Sequence, residues 1–333
     1  MTQAQIRDTR VSALTLARGR SAHLANVIRG LNQQTCPPAE LVIAVMQETL
    51  YTDLPDADFP IRQIKVTGTE LPLSRARNIV AKHAKFDTLV FLDVDCIPAP
   101  ELIADYASLV EPGAGLFMGE VMYLPAGATD AGWTFAEFDE VAVRHSDRQG
   151  PPVARTKPCG DYRCFWSLNF AIHRADWDIS GGFDEDFVGY GGEDTDFGRT
   201  LEDRGVAISW LRGARVYHQY HEHCMPPVHH ISSILRNTEI FGQKWGHRTM
   251  EHWLRAFRLM GLVDDTPDGL RQIREPSRAQ IDLCFQQKHM PFASSGQVLQ
   301  LLEENAARVR TDEASARAST PRHRHDAHAT AAE

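Results

Sequence analysis

Apolar residues along the chain come in short blocks, set apart by polar stretches rich in glycine and proline. The first block, Val11–Ala17, is too short and too uniformly apolar for an amphipathic helix and predicts a buried strand. Arg18-Gly19-Arg20-Ser21 breaks it, and an amphipathic helix is predicted over 22–32. Pro37 and Pro38 separate that helix from the run 40–46, whose β-branched residues predict a second strand. Over 74–85, Ala76, Ile79, Val80 and Ala84, with Leu73 just ahead, fall on one helical face. Thr88–Leu92 then predicts a strand that ends on Asp93-Val94-Asp95. Further along, short strands are expected within 116–123, a helix over 133–144 and a loop over 150–158. A helical pattern over 231–262 is anchored by Ile234, Leu235, Ile240, Phe241, Trp245, Trp253, Leu254 and Phe257, and an amphipathic helix is expected over 297–309.

Strand, helix, strand, helix, strand in this order predicts an α/β fold with a mostly parallel sheet and helices on both faces. Ligands of such sheets bind beyond the carboxyl ends of the strands, which is where Arg20, Asp93 and Asp95 fall. The division expected is 1–230 for this domain, 231–309 for a helical extension packed on it, and a disordered tail over 310–333, where large apolar residues nearly vanish. His323, His325 and His328 belong to that solvated tail.

Composition narrows the class. With 43% hydrophobic residues the chain can bury a sizeable core, and no apolar run approaches the roughly 18–20 residues of a membrane span. The first ten residues are polar and lack the apolar stretch of a secretory leader. Six cysteines are spread singly, without a CxxC pair, which points to a reducing cytoplasm. A net charge of -9 speaks against non-specific nucleic-acid binding.

Three segments carry candidate chemistry. Asp93 and Asp95 form an Asp-x-Asp at a strand end. If the chain stays extended there, both carboxylates face one side and could hold a hard cation such as Mg²⁺ or Mn²⁺. The alternative is a pair of acids capping a turn. The second segment, SGGFDEDFVGYGGEDTD over 180–196, is a glycine-rich loop that delivers Glu193 and Asp194 to the start of a helix. A carboxylate there can serve as a general base or simply as an acidic cap. The third, YHQYHEHC over 217–224, crowds histidines without finger-like spacing, so one of them is expected to complete the cation site.

With these segments in order, residues 10–260 resemble the family 2 glycosyltransferases of the GT-A fold, the second half resembling a galactosyltransferase-type region that ends in Gly-Gly-Glu-Asp. The resemblance implies a Rossmann-like sheet flanked by helices and a nucleotide-sugar donor, UDP-linked in the family. It implies that Asp93, Asp95 and His218 hold the metal, with His221 the alternative histidine, and that Asp194 is the base of an inverting transfer with Glu193 beside it. It also implies that Arg20, Arg75, Arg77 and Asn78 contact the nucleotide and that Asn169 lines the donor sugar. One departure stands out: Tyr190 occupies the place of the usual tryptophan before Gly-Gly-Glu-Asp, keeping an aromatic platform of different shape.

The function expected is therefore metal-dependent transfer of a sugar from a nucleotide-sugar to a hydroxyl of a glycan or small-molecule acceptor. Two rivals use similar parts: a nucleotide-sugar or glycan binding protein without turnover, and a nucleotidyltransferase. The first has no need of a poised base. The second expects a glycine-rich basic loop after the first strand, and Arg18-Gly19-Arg20 is too short for one.

Overall fold

A computed structural model describes residues 10–68, 70–267 and 269–319. Its strands are β1 (Val11–Ala17), β2 (Glu40–Val45), β3 (Ile61–Lys65), β4 (Thr88–Leu92), β5 (Cys96–Pro98), β6 (Leu116–Met118), β7 (Val121–Tyr123), β8 (Thr156–Pro158), β9 (Asn169–His173), β10 (Ile208–Leu211), β11 (Val216–His218), β12 (Val263–Thr266) and β13 (Gly269–Gln272). The α-helices are α1 (Ser21–Asn32), α2 (Leu73–His83), α3 (Leu102–Ala107), α4 (Phe135–Val141), α5 (Arg174–Ser180), α6 (Glu193–Asp203), α7 (Ile231–Trp245), α8 (Glu251–Leu259), α9 (Arg278–Phe285) and α10 (Ser295–Ser319).

Among the described residues one sheet of eight strands runs β3-β2-β1-β4-β9-β6-β10-β8. Its first four strands are parallel, β9 is antiparallel to both neighbours, β6 and β10 are parallel, and β8 closes the edge antiparallel. Every residue of β1 and of β2 is buried, as a central strand covered on both faces requires. By contrast β3 is half-buried along its length, which fits an edge strand. Two apolar layers lie on opposite faces of the sheet. One is built from Leu24, Val27, Ile28 and Leu31 of α1 against Ala13 and Ile43, the other from Ala76, Val80 and Ala81 of α2 against Leu14, Val42 and Phe91. A second sheet, β5-β11-β7, stands at the carboxyl end of β4 and carries the histidine segment.

The C-terminal helices have their own apolar cluster, with Ile234, Leu254, Phe257, Leu262 and Cys284 at its centre. They grip the glycine-rich loop directly. A side chain at Gly189 would come within 2.5 Å of Ser233, and Gly192 caps α6 at φ 92°, so neither position admits a Cβ without strain. Asn237 donates to the Gly191 carbonyl at 2.7 Å and Arg236 to Val188 at 2.6 Å.

Several local expectations change. Residues 156–158 of the expected loop pair with β10 as strand β8, because the edge of β10 would otherwise expose its backbone groups. The helical stretch 231–262 is two helices, broken where Gly246 takes φ 77°. The last helix runs Ser295–Ser319, past the residue where the tail was expected to begin, and 320–333, with its histidines, lies outside the described residues. No helix of the described residues is long and apolar enough to cross a membrane.

Candidate active site

The end of β4 is tied from two sides. The Asp93 N–H donates to the Leu168 carbonyl at 3.0 Å, and the Cys96 N–H donates back to Asp93 at 2.9 Å, so the Asp-x-Asp sits in a turn. The Gln219 N–H donates to the Asp95 carbonyl at 2.7 Å, and β11 pairs with β5 so that His218 lies opposite Cys96. These two ladders bring the histidine segment onto Asp95. One ligand atom each from Asp95, His218 and His221 lies within 4.8 Å of the others. Arg20 also contacts Asp95, and His23 comes within 3.8 Å.

This set fits a divalent cation. Asp95 Oδ1 and His218 Nδ1 are buried without a hydrogen-bond partner, a costly state for a protein interior. Burial pushes His218 down to about 3, so it stays neutral near pH 7, as a metal ligand must. Burial works to raise the pKa of Asp95, but His218, Arg20, His221 and His23 bring it below the ordinary carboxylate value.

Asp93 does not join the cluster. The expectation that both aspartates face one cation assumed an extended chain; in the turn they diverge, and Asp93 faces Arg77 at 3.4 Å. His221 enters alongside His218 and does not replace it.

The other half of the site is organised by Arg77. From α2 its buried guanidinium reaches Asp93, Glu193 at 3.9 Å and Asp194 at 3.9 Å, and packs 5.0 Å from the centre of the Phe183 ring. One cation thus joins the Asp-x-Asp turn to the first residues of α6. Asp194 Oδ2 accepts from the Ser167 N–H at 3.0 Å, while its Oδ1 has no hydrogen-bond partner. Burial, and then the neighbouring Asp194, raise Glu193 to about 7 against the pull of Arg77. Burial likewise raises Asp93 to about 6, with Arg77 opposing.

Three expected contacts are engaged elsewhere or turned away. Asn78 holds the loop before Gly-Gly-Glu-Asp: its Nδ2 donates to the Phe183 carbonyl at 2.8 Å and its Oδ1 accepts from the Phe183 N–H at 2.9 Å. Asn169 is fully buried in β9, accepting from the Tyr106 hydroxyl at 2.8 Å and donating to the Ala214 carbonyl at 2.6 Å, so it braces the sheet. Arg75, two positions before Arg77, falls on the exposed face of α2 and makes no hydrogen bond or ion pair with the site among the described residues. Sequence reasoning missed Ser167, whose backbone holds Asp194, and His23, one helical turn past Arg20. Neither carries a motif; His23 was visible only as a histidine at the start of α1.

Known proteins are similar to parts of this chain. The family described as the N-terminal domain of galactosyltransferase matches residues 153–222, the stretch that contains Ser167, Glu193, Asp194, His218 and His221. Validoxylamine A glucosyltransferase of Streptomyces hygroscopicus subsp. jinggangensis is 36% identical over 80 residues, 24% of this chain and 18% of that one. Hyaluronan synthase of Pasteurella multocida is 25% identical over 227 residues, 57% of this chain and 22% of that one. Over these stretches the chain is similar to glycosyltransferases. It spans about a fifth of the length of these relatives. Its fold is also that of GalNAc-T7, solved with UDP, GalNAc and Mn²⁺, at a TM-score of 0.50 and 15% identity over 75% of this chain and 50% of that one. The α/β architecture expected from the order of elements is thus the GT-A fold. The aromatic residue that differs from the usual motif, Tyr190, stacks on His230 at 4.9 Å and Trp253 at 5.9 Å, so its platform is shared with the C-terminal helices.

Proposed function

We propose that this protein transfers a sugar from a nucleotide-sugar, UDP-linked as in the family it resembles, to a hydroxyl acceptor, with inversion and with a divalent cation. The observation that carries the reading is a pair of unlike clusters joined by the Asp-x-Asp turn: a cation-type cluster with unpaired ligand atoms, and a carboxylate pair beside Arg77 with an oxygen that has no hydrogen-bond partner.

Within this reading, Asp95, His218 and His221 hold Mn²⁺ or Mg²⁺. When bound, the cation neutralises charge on the departing diphosphate. Asp194 is the base. Its side chain is 28% exposed against 11% for Glu193, and Oδ1, beside Arg77, has no hydrogen-bond partner while the Ser167 N–H fixes the other oxygen. It takes the proton of the acceptor hydroxyl as that oxygen attacks the anomeric carbon. Glu193, raised to about 7, offers a hydrogen-bond donor to a sugar hydroxyl while it holds its proton. Arg77 keeps both carboxylates in place and screens their repulsion. Arg20, beside Asp95 at the start of α1, supplies positive charge on the nucleotide side. A cytoplasmic setting belongs to this reading as well, resting on cysteines spread singly along the sequence.

The test is a panel of nucleotide sugars with and without Mn²⁺, on wild type and on Asp95→Ala. The expected result is one UDP-sugar that binds only with metal, slowly releases UDP, and loses both properties in the variant. Release of pyrophosphate from a nucleoside triphosphate would instead mark a nucleotidyltransferase. Tight binding without any UDP release, even with acceptors supplied, would mark a binding protein.

A further inference from the structure

Along the outer side of α1 runs a polar groove that the mechanism above leaves unused. Asn26, Arg29, Asn32 and Gln33, from α1 and its C-terminal end, line it together with Asp130 and Trp133, from the segment between β7 and α4. It holds about 600 Å³, within the roughly 300–1,000 Å³ of small-ligand sites. Arg29 and Asn32 lie roughly 13–18 Å along the helix from Arg20, at a rise of about 1.5 Å per residue, so the groove stands apart from the two clusters described above.

The groove is held in shape from within. Asn26 is 5% exposed and its amide is engaged at both ends. Its Oδ1 accepts from the Trp133 Nε1–H at 3.1 Å and from Arg29 at 2.9 Å, while its Nδ2 donates to Gln219 at 2.8 Å. The Trp133 ring stacks on Phe138 at 5.0 Å and meets Phe135 edge to face at 5.3 Å. It stays half-buried, and the part of the indole that those rings leave uncovered lines the groove. A tryptophan fixed at its N–H and packed by neighbouring rings loses little freedom when a ligand settles on it.

The exposed groups select among ligand classes. Arg29 and Asp130 both reach solvent, and neither has an ion-pair partner among the described residues. An anion drawn to Arg29 meets Asp130 in the same groove, and a cation drawn to Asp130 meets Arg29. An apolar segment would cover the amides of Asn32 and Gln33 without pairing them. A neutral sugar suits all of these groups. Its hydroxyls both donate and accept, as amides and two opposite charges require, and its C–H face packs on an indole.

We propose that this groove binds a neutral oligosaccharide at a site separate from the catalytic centre, with Trp133 as the stacking platform. The proposal stands on the groove's own chemistry and does not need the glycosyltransferase reading.

The experiment titrates the protein by calorimetry with neutral trisaccharides of glucose, galactose, mannose or N-acetylglucosamine, and with inorganic phosphate, in chelator and without nucleotide. Wild type, Trp133→Ala, the double variant Arg29→Ala/Asp130→Ala and Asp95→Ala are compared, each with a thermal melt. The expected result is a trisaccharide that binds wild type in the millimolar range or tighter and binds Asp95→Ala equally well. Trp133→Ala should weaken it at least about tenfold, as loss of a central aromatic anchor does, and the double variant by about three- to tenfold. If Trp133→Ala does not fold, the double variant decides, because both of its side chains are exposed. The proposal is overturned if wild type binds no trisaccharide at about 10 mM, prefers phosphate, keeps its affinity through the groove substitutions, or loses it in Asp95→Ala. A trisaccharide held by the groove of a protein that never releases UDP keeps this site and removes the transferase reading. UDP release without trisaccharide binding does the reverse.

Discussion

A buried carboxylate at one end of the main sheet and the carboxylates gathered at the other end differ in how far their polar atoms are paired. Glu40, inside β2, accepts from the Ser12 hydroxyl at 2.7 Å, from Arg62 at 2.6 Å and from the Lys85 N–H at 2.6 Å, which locks β1, β2, β3 and the turn before β4 together. Burial works to raise its pKa, and those three partners bring it below the ordinary value. The cluster at the other end of the same sheet has equal access to cations, yet Asp95 Oδ1, Asp194 Oδ1 and His218 Nδ1 are left unpaired, and Asp93 and Glu193 are pushed up to about 6 and about 7. Under the function proposed above, the difference separates a carboxylate that stabilises from one kept ready for a ligand. Satisfied groups hold the fold; unsatisfied buried groups mark where something else binds.

The comparison is broken most sharply at Asp194, the proposed base. Asp194→Asn is expected to lower turnover by about 10²–10⁴-fold while leaving the thermal melt close to wild type, since a general base contributes in that range. Near-normal UDP release with acceptor present would remove Asp194 from that role.

Glu40→Gln is expected to show the opposite profile. Removing the charge leaves one acceptor oxygen where there were two, so either Arg62 or the Lys85 N–H loses its partner. That should cost about 2–3 kcal/mol in urea unfolding, the modest end for a buried pair because Arg62 is 31% exposed. Metal-dependent nucleotide-sugar binding should be unchanged. A loss of binding without a loss of stability would mean that the clamp and the site are not separable.

A smaller effect is expected from pH. Glu193 goes from an ordinary 4.5 when unfolded to about 7 in the fold. Below pH 4.5 both states carry the proton and its contribution to stability is complete. As pH rises toward 7 the unfolded chain releases the proton first, so stability falls, and it levels off above that point. Melting temperatures of wild type and Glu193→Gln, taken with chelator between pH 4.5 and 7.5, should show a steeper decline in wild type. Parallel curves would mean that Glu193 titrates normally.

The parts of this site that were legible in the sequence are those fixed by neighbours along the chain. Asp93 and Asp95 were found from a strand followed by an acid pair, and Glu193 and Asp194 from glycines before a helix. The same reasoning placed β1 and β4 at their observed bounds, because buried central strands read as uninterrupted apolar runs. It failed wherever a side chain could be spent on two things. Asn169 carries an amide suited to a sugar, and only the packing shows that Tyr106 and Ala214 have taken it. Asn78 was taken by Phe183 in the same way, and Arg75 turned outward while Arg77 turned in.

By itself, then, the sequence determined the alternation of strands and helices, the strand end that carries the aspartates, and the glycine loop that aims the carboxylate pair. Local propensity and periodicity are encoded within a few residues, so one chain read alone is enough for them. Tertiary structure decided which histidines reach Asp95 and that Asp93 turns to Arg77 instead. Those outcomes depend on segments far apart in the chain, brought together by sheet register and by the cost of burying polar atoms, and no local pattern records that cost.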